Sequence, residues 1–592
     1  MSQPGRGETA IKVGGKRSGA WLVRYALEQL PVSHTFGIPG VHNTEIYDEL
    51  NKSSAIRPIL VTHEAGAAFI ADGISRCSTG EIGVLVIVPA AGLTYAMSGI
   101  GEAFLDGVPL LVITGGTRTD IEFGFKLHEI DQHGILSGIC KGSWLVKEHR
   151  DVVPTIFEAY RRAVSGMPGP VVVEIPANIQ LFHGEVETLP AFQPFFPSRN
   201  LDEAALDQAV DLLVKASAPG IFVGWGAVDV DHETGRIAAL LGAPVSTTLQ
   251  GMSAFPGTHP LHTGMGFSRA AVPAAENAFK GCDCLLAVGT RFGEIPTGSY
   301  GCVVPENLIH IDVDPGAFNR NFPAKVTIEG DSRIVVPKLL EKLLERKPQN
   351  EDRRLRVVKH IAEQKSAYRE EWLKHRNGKV NPAMFFDELR KQLADDAIMV
   401  VDDGNHTFLA AELFEVRRKR SFISPTDFNC MGYCIPAAIG AKLVNPAKQV
   451  VGIVGDGSFL MTGLELLTAV TEGVGMACFV FCDGELSQIA QGQELTYNRK
   501  PCTALGKLRL DAMALAVGAG YVSIGCNARI AGSIRAALAM AEGARPVIVE
   551  VNIDYSKRTR FTQGVAKTVL KQFPSSDRFR MISRVLMRKV TG

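Results

Sequence analysis

Two acidic residues, Asp456 and Asp483, stand where a sheet could bring them together around a metal ion. Asp456 lies in the turn Gly455-Asp456-Gly457-Ser458, which follows the apolar run 450–454. Asp483 follows a second apolar run, 477–481, one helix and one strand further along the chain. In an open parallel sheet the carboxyl ends of neighbouring strands form one edge, and ligands collect there. The spacing therefore predicts that the two carboxylates are neighbours.

Carboxylate oxygens at such an edge suit Mg2+, which prefers six oxygen ligands. Gly455 and Gly457 would let the backbone approach a phosphate closely, and the N-terminus of a following helix would supply N–H donors. Asp456 would repel a bare phosphate, so we expect the cation between them, with the backbone carbonyl of Glu485 as a further ligand. The competing interpretation is a plain tight turn. The strand before it, the helix predicted over 461–472 and the second acidic turn favour the metal site.

Short apolar runs alternate with helical segments along the whole chain. This pattern predicts an α/β fold with three domains, each having a central, mostly parallel sheet flanked by helices. The predicted divisions are a flexible N-terminal tail at 1–17, domains at 18–190, 200–345 and 375–556, and a basic C-terminal tail at 557–592. A Pro- and Phe-rich linker is expected at 192–200 and a charged helical connector at about 340–376. The first and third domains share their order of strands, turns and helices.

Composition excludes several classes of partner. The chain has 592 residues, 46% hydrophobic and 21% charged, and its 62 Lys and Arg balance its 62 Asp and Glu. No overall field therefore favours nucleic acid or an acidic membrane. No apolar run reaches the roughly 20 residues of a membrane helix, and the N-terminus lacks a signal-peptide pattern. The 11 Cys show no zinc-site spacing, so we expect a cytoplasmic protein with free thiols.

These motifs resemble the thiamine-diphosphate enzymes of the acetolactate synthase, pyruvate oxidase and benzoylformate decarboxylase group. The family's hallmark is Gly-Asp-Gly, a gap, and then Asn-Asn. Here Gly455-Asp456-Gly457 is followed by Cys482-Asp483, so Asp483 replaces the metal-ligating second Asn. The resemblance spans about residues 18–555. It implies a pyrimidine-binding, a central and a diphosphate-binding domain, with thiamine diphosphate and Mg2+ in active sites at the subunit interfaces of a homodimer or homotetramer.

The resemblance also implies roles for individual residues. Glu64 stands at the family's general acid/base, which hydrogen-bonds the pyrimidine ring of the cofactor. Met431 stands at the apolar wedge that bends the cofactor. The residues expected to contact the cofactor are Gly92, Gly404, Asn405, His406, Met431, Gly432, Gly455, Gly457, Ser458 and Glu485. The residues expected to contact substrate are His42, His63, His128, Lys141 and Ile489.

The implied reaction is decarboxylation of a 2-oxo acid, followed by protonation or by carboligation to a second carbonyl. By alignment, Gly492 stands where acetohydroxyacid synthases have a Trp, and Ile295 where an Arg grips the second acid. Both departures predict a different acceptor or donor. Two alternatives are a lyase of the 2-hydroxyacyl-CoA lyase or oxalyl-CoA decarboxylase kind and a non-catalytic homologue that binds the cofactor.

The sequence leaves two questions open: whether FAD binds and what the basic tail does. Gly264, Gly266, Arg291, Asp312 and Asp331 are similar to the FAD site of many relatives, but the segment 267–269 is not its usual continuation. The basic tail has a predicted amphipathic helix at 579–588. It could pack across a subunit interface, cover an anionic or coenzyme A substrate, or contact an acidic partner.

Overall fold

The computed structural model describes residues 11–12, 15–194, 196, 200–348 and 350–591. The chain forms two compact units. The first comprises the described residues up to 196 together with Pro436–Pro446 and Leu464–Glu472, and the second comprises the remaining described residues. In the described part of the chain, no helix is both long enough and apolar enough to cross a bilayer.

The first unit is built on a six-stranded parallel sheet. Its strands, with four short flanking ones, are β1 (Ile11–Lys12), β2 (Lys16–Ser18), β3 (His34–Gly37), β4 (Arg57–Leu60), β5 (Gly83–Ile87), β6 (Leu110–Gly116), β7 (Ser143–Leu145), β8 (Pro170–Pro176), β9 (His183–Glu185) and β10 (Thr188–Leu189). Its helices are α1 (Gly19–Glu28), α2 (Thr44–Leu50), α3 (Glu64–Cys77), α4 (Ala91–Asp106), α5 (Gln132–Leu136), α6 (Val152–Val164) and α7 (Ala177–Leu181). The sheet order is β4-β3-β5-β6-β8-β7. Every residue of β5 and β6 is buried, as expected for strands covered by helices on both faces.

The second unit contains two further six-stranded parallel sheets. The central sheet, in the order β13-β12-β11-β14-β15-β16, consists of β11 (Pro219–Val223), β12 (Val245–Thr247), β13 (His262–Met265), β14 (Cys284–Val288), β15 (Asn307–Asp312) and β16 (Val326–Glu329). Its helices are α8 (Glu203–Lys215), α9 (Asp231–Leu241), α10 (Pro273–Ala278), α11 (Glu294–Thr297), α12 (Ser332–Arg346) and α13 (Glu351–Lys374). Chain order along this sheet is 3-2-1-4-5-6, which is the arrangement of dinucleotide-binding folds.

The third sheet, in the order β18-β17-β19-β20-β22-β21, has the same chain order as the first, 2-1-3-4-6-5. Its strands are β17 (Ile398–Val401), β18 (Phe422–Ile423), β19 (Val450–Gly455), β20 (Ala477–Phe481), β21 (Gly520–Ile524) and β22 (Val547–Val551). The helices along this stretch of the chain are α14 (Pro382–Gln392), α15 (Asn405–Leu413), α16 (Cys434–Val444), α17 (Asp456–Thr462), α18 (Leu466–Thr471), α19 (Ser487–Tyr497), α20 (Leu510–Val517), α21 (Ile530–Glu542), α22 (Arg560–Gln572) and α23 (Ser575–Thr591). Of these, α18 and most of α16 belong to the first unit. The α/β class and the three parallel sheets that the sequence predicts are confirmed.

Three local predictions differ from the structure. The helix predicted over 461–472 begins earlier, because α17 starts at Asp456 itself and a short 3-10 turn separates it from α18. The connector predicted over 340–376 is two helices, broken at Lys347, whose φ of 44° is left-handed. The tail predicted over 1–17 is partly ordered, since β1 pairs with β10 and β2 with β9. Its other residues and part of the predicted linker lie outside the described residues.

Candidate cofactor and metal site

Asp456 and Asp483 lie side by side at the carboxyl ends of β19 and β20. These strands pair in parallel with Gly455 opposite Phe481, so both acidic residues leave the sheet at the same edge. One oxygen of Asp456 accepts hydrogen bonds from the backbone N–H of Asp483 at 3.2 Å and of Gly484 at 2.8 Å. The structure therefore brings together the two residues that the spacing predicted to be neighbours.

The paired carboxylates have an electrostatic cost that a divalent cation would relieve. Burial raises the pKa of Asp456 and of Asp483, and the charge of Asp456 raises the pKa of Asp483 further. The Ser487 hydroxyl donates a hydrogen bond to Asp483 and so orients its carboxylate. Two adjacent carboxylates, Asp456 buried and Asp483 half-buried, are an oxygen donor set that fits Mg2+.

Glu485 could coordinate a cation through its backbone carbonyl, but not through its side chain. Its carboxylate oxygens lie 3.1 and 3.0 Å from the ammonium nitrogen of Lys500, so the side chain is already paired. Among the residues that the structure describes, no group of three His, Cys, Asp or Glu side chains could hold a metal ion. The other ligands of a cation at the aspartate pair would therefore be backbone carbonyl, water and phosphate oxygens.

A cradle of hydrogen-bond donors borders the neighbouring strand end, after β17. The Asn405 Nδ2 and His406 Nε2 atoms are buried and have no partner within the described chain. Burial lowers the pKa of His406 to about 3, so its ring is neutral. A Cβ on Gly455 would lie 3.1 Å from the His406 ring, and Gly404 has a φ of 146° that favours glycine. The Asn405 amide N–H, and His406 Nε2 when it carries the single proton of the neutral ring, are buried donors that fit the oxygens of a diphosphate group.

Met431 reaches the Gly-Asp-Gly turn. Its Cε lies 3.7 Å from the position that a Cβ on Gly457 would take. The segment that carries Met431 is held from both sides: Asp402 accepts hydrogen bonds from the N–H of Gly432 and of Cys434, and the Thr462 hydroxyl donates to the Gly432 carbonyl. The predicted wedge and the predicted metal turn are thus neighbours.

Glu64 lies in the first unit, at the carboxyl edge of its sheet. It begins α3, just after β4, and is only 6% exposed. A Cβ on Gly92 would lie 3.1 Å from a Glu64 carboxylate oxygen, so glycine at 92 keeps space beside the acid. Thr62, two residues before Glu64, donates backbone and hydroxyl hydrogen bonds to Glu465 at 3.0 and 2.7 Å. These bonds fix the start of the helix.

The predicted substrate residues have different surroundings. His42 and His128 face each other, with their Nδ1 atoms 3.2 Å apart. His63 accepts the Ala65 N–H as the cap of α3, and its ring packs 4.8 Å from the Tyr95 ring. Ile489, on α19, is 56% exposed.

The structure corrects the prediction that Lys141 contacts substrate. Its ammonium donates to the carbonyls of Arg162, Ser165 and Met167 at 2.6, 2.6 and 2.7 Å. All three donors of a lysine are used by these bonds at the end of α6, so the structure gives Lys141 a structural role in place of the predicted substrate contact.

The residues at the central sheet fit FAD less well than the residues at the third sheet fit a diphosphate group. Arg291 forms an ion pair with Asp427 at 2.5 Å, and Asp331 pairs with Arg333 while capping α12. Phe267 is buried, 5.0 Å from the Phe222 ring. Of the three charged residues of the predicted FAD site, Arg291, Asp312 and Asp331, two thus already form ion pairs within the protein.

Sequence reasoning missed two contributors to the site. The sequence predicts no role for Asp402 or Ser487, yet each bonds a predicted residue or its segment. The signal for Ser487 was its position four residues after Asp483 at a helix start, where a hydroxyl commonly bonds a nearby carboxylate. No sequence signal indicated that Asp402 would bind backbone some 30 residues away.

Comparisons with known proteins show the family of the chain. Three family models match: the N-terminal TPP binding domain of thiamine pyrophosphate enzymes at residues 17–135, their central domain at 206–339, and their C-terminal TPP binding domain at 402–551. A relative from Corynebacterium glutamicum, an acetolactate synthase large subunit, is 33% identical over 86% of this chain and 82% of its own length.

Two other relatives are similar to this chain over a comparable share of its length. The large subunit of acetolactate synthase isozyme 3 from Escherichia coli is 30% identical over 91% of this chain and 95% of its own. A probable acetolactate synthase large subunit from Methanocaldococcus jannaschii is 31% identical over 81% of this chain and 83% of its own. The similarity therefore runs through all three sheets.

Proposed function

Because the chain belongs to the thiamine-diphosphate-dependent enzymes of the acetolactate synthase type, we propose that it decarboxylates a 2-oxo acid with thiamine diphosphate and Mg2+ and passes the product fragment to a proton or to a carbonyl acceptor. The observation that carries this proposal is the third-sheet edge. There the Asp456–Asp483 pair lies beside a sheet end whose buried Asn405 Nδ2 and His406 Nε2 atoms have no partner among the described residues.

Each residue would have a separate task. Asp456, Asp483 and the Glu485 carbonyl would hold Mg2+, and Asn405 and His406 would donate to phosphate oxygens. Met431 would support the bent cofactor from beside the metal turn. Glu64 would exchange a proton with the far pyrimidine nitrogen. When bound, thiamine diphosphate supplies the electron sink for the bond that breaks.

The acceptor differs from that of the biosynthetic acetolactate reaction. Ile295, at the position of the acid-gripping Arg, packs against the hydrophobic core around Trp372 and Phe385. Gly492, at the position of the pocket-shaping Trp, has open space where a side chain would stand. Without a guanidinium at 295, a carboxylate on the acceptor has no cation there. A neutral carbonyl compound or a proton is the proposed acceptor.

The active form is proposed to be a homodimer or a larger homo-oligomer. Loops at the carboxyl edge of the first sheet, near Glu64, expose apolar side chains: Val41 is 73% exposed, Phe123 78%, Phe125 105% and Leu127 64%. Clustered apolar exposure of this kind is typical of an interaction surface. The proposed occupant is a second copy of this chain, whose metal edge would face Glu64.

The acyl-coenzyme A alternative depends on the basic tail. There Arg588 is engaged by α19, with its guanidinium 5.3 Å from the Tyr497 ring and its Nη1 3.1 Å from the Thr496 carbonyl. Nothing in this contact favours coenzyme A, so the 2-oxo acid reaction is the leading proposal.

The test is a substrate panel. The purified protein is incubated with thiamine diphosphate, Mg2+ and a series of 2-oxo acids, with and without aldehydes, and products are identified by mass spectrometry. We expect carbon dioxide release from at least one acid and an aldehyde or acyloin product. Absence of thiamine diphosphate binding by calorimetry, or formation of acetolactate as the main product, would contradict the proposal.

A further inference from the structure

A histidine couple lies at the same sheet edge as Glu64. His42 is in the loop after β3 and His128 in the segment after β6. Their Nδ1 atoms are 3.2 Å apart and their ring centroids 5.0 Å apart. Since strands β4, β3, β5 and β6 are consecutive in a parallel sheet, the couple and Glu64 leave that sheet at one edge.

Contacts to the backbone carbonyl of His42 hold the histidine couple in place. Gln180, itself buried, donates to the His42 carbonyl at 2.8 Å and to the Ile175 carbonyl at 2.6 Å. A Cβ on Gly115 would lie 2.0 Å from the His42 carbonyl, so β6 abuts this loop closely. His128 has a φ of 66°, a left-handed conformation that strains a non-glycine residue and recurs at functional sites.

The outer nitrogens of both rings are available. The Nδ1–Nδ1 contact is the one side-chain hydrogen bond of either ring in the described chain, so neither Nε2 has a protein partner there. Both histidines are half-buried. These two nitrogens can therefore bond to water or to a bound ligand.

When both imidazoles are neutral, the contact fixes how their protons are distributed. Two neutral imidazoles joined through Nδ1 share a single proton between those atoms. One ring must then carry its own proton on Nε2, and the other must present a bare Nε2. The couple therefore offers one outward donor and one outward acceptor, joined by an internal hydrogen bond.

We infer that His42 and His128 form a proton relay that protonates the oxygen of a neutral aldehyde or ketone acceptor, an inference that rests on the proposed function. Loss of carbon dioxide leaves an electron pair, which forms the new C–C bond as the acceptor's C=O π pair moves to oxygen. That oxygen takes the Nε2 proton of one ring. The shared proton crosses between the Nδ1 atoms, and the other Nε2 takes a proton from solvent, so both rings stay neutral.

The relay is tested with His42→Gln, His128→Gln and the double variant. Product formation and carbon dioxide release are measured separately, with thiamine diphosphate affinity as a readout of an intact site. We expect each single variant to lose product formation by about 100-fold or more, with cofactor affinity unchanged. Because the rings act as one unit, the double variant should lose little beyond either single variant.

His183→Gln is the matched control, since His183 is an exposed histidine of the same unit and should keep wild-type rates. Losses that multiply in the double variant, or single variants that keep full product formation, would overturn the relay while leaving the proposed function standing. A wild-type protein that consumes no 2-oxo acid would overturn the proposed function and the relay together. The two failures differ in whether the wild type itself is active.

Discussion

The Asp402 carboxylate binds the backbone just after Met431: one oxygen accepts the Gly432 N–H at 2.9 Å and the other accepts the Cys434 N–H at 2.8 Å. Asp402 is fully buried, and this burial raises its pKa to about 6 despite those bonds. It also accepts the Asp403 N–H at 2.9 Å. One side chain thus joins the strand end that carries Asn405 and His406 to the segment that carries the wedge.

Asp402→Asn should loosen this junction. The amide keeps one acceptor oxygen but turns an N–H group toward a backbone N–H, which leaves a buried donor unpaired at a cost of about 1–3 kcal/mol. We expect a lower free energy of unfolding and weaker binding of thiamine diphosphate, measured by denaturant titration and calorimetry. Asp396→Asn, at an exposed position, is the control. Unchanged values in Asp402→Asn would show that the junction does not position the site.

Asp483→Asn restores the residue type that the family has at this position. Removing one of two adjacent negative charges lowers the attraction for a divalent cation. We expect Mn2+ or Mg2+ affinity, measured by electron paramagnetic resonance or calorimetry, to fall by about tenfold, which corresponds to about 1.4 kcal/mol. Asp352→Asn, at an exposed position on α13, is the control. Tighter metal binding in Asp483→Asn would contradict the assignment.

The sequence predicted those parts of the site that local pattern specifies. Asp456 and Asp483 each follow a short apolar run, and strand pairing makes such positions neighbours in any parallel sheet. Likewise, the start of α3 at Glu64 follows from the alternation of strand and helix. These features depend on elements that are contiguous in the chain.

The remaining parts depend on contacts between distant segments. The bonds from Asp402 to Gly432 and Cys434, and the pairing of His42 with His128 across β5, need the three-dimensional path of loops. Lys141 shows the converse case. A lysine near the predicted site has ordinary flanking residues, and only the three carbonyls at the end of α6 reveal its structural role.

Glu64→Gln should separate binding from turnover. Glutamine keeps the shape of the buried side chain beside Gly92 but cannot exchange a proton as an acid. We expect a loss of about 100-fold or more in carbon dioxide release, with little change in the affinity for thiamine diphosphate. Glu45→Gln, at an exposed position on α2, should behave as wild type. Near-normal turnover in Glu64→Gln would remove Glu64 from the proton pathway.

Glu412 predicts a pH dependence of stability. Its carboxyl accepts the N–H of Phe561 at 2.8 Å and of Arg560 at 3.2 Å, and Tyr368 donates to it as well. Burial raises its pKa from 4.5 to about 7. The folded state therefore holds the proton more tightly than the unfolded chain, and the associated stability, full below about pH 4.5, is lost as the pH rises towards 7.

The measurement is the melting temperature between pH 4.5 and 8 for the wild type and Glu412→Gln. We expect the difference between the two to change across this interval in favour of the glutamine variant at the higher pH. Glu388→Gln controls for the general effect of removing an acid. A difference that stays constant with pH would contradict the raised pKa.

Arg588 ties the C-terminal helix α23 to the helix that follows the metal pair. Its guanidinium lies over the Tyr497 ring and donates to the Thr496 carbonyl, while at the other end of α19 Ser487 bonds Asp483. Arg588→Ala removes a partly exposed cation–π contact and a hydrogen bond, so the loss of global stability should be about 1 kcal/mol or less. We expect faster hydrogen exchange along α19 and a weaker metal affinity. Arg580→Ala, whose side chain is exposed, is the matched control, and equal exchange of α19 in both variants would show that α23 does not order this helix.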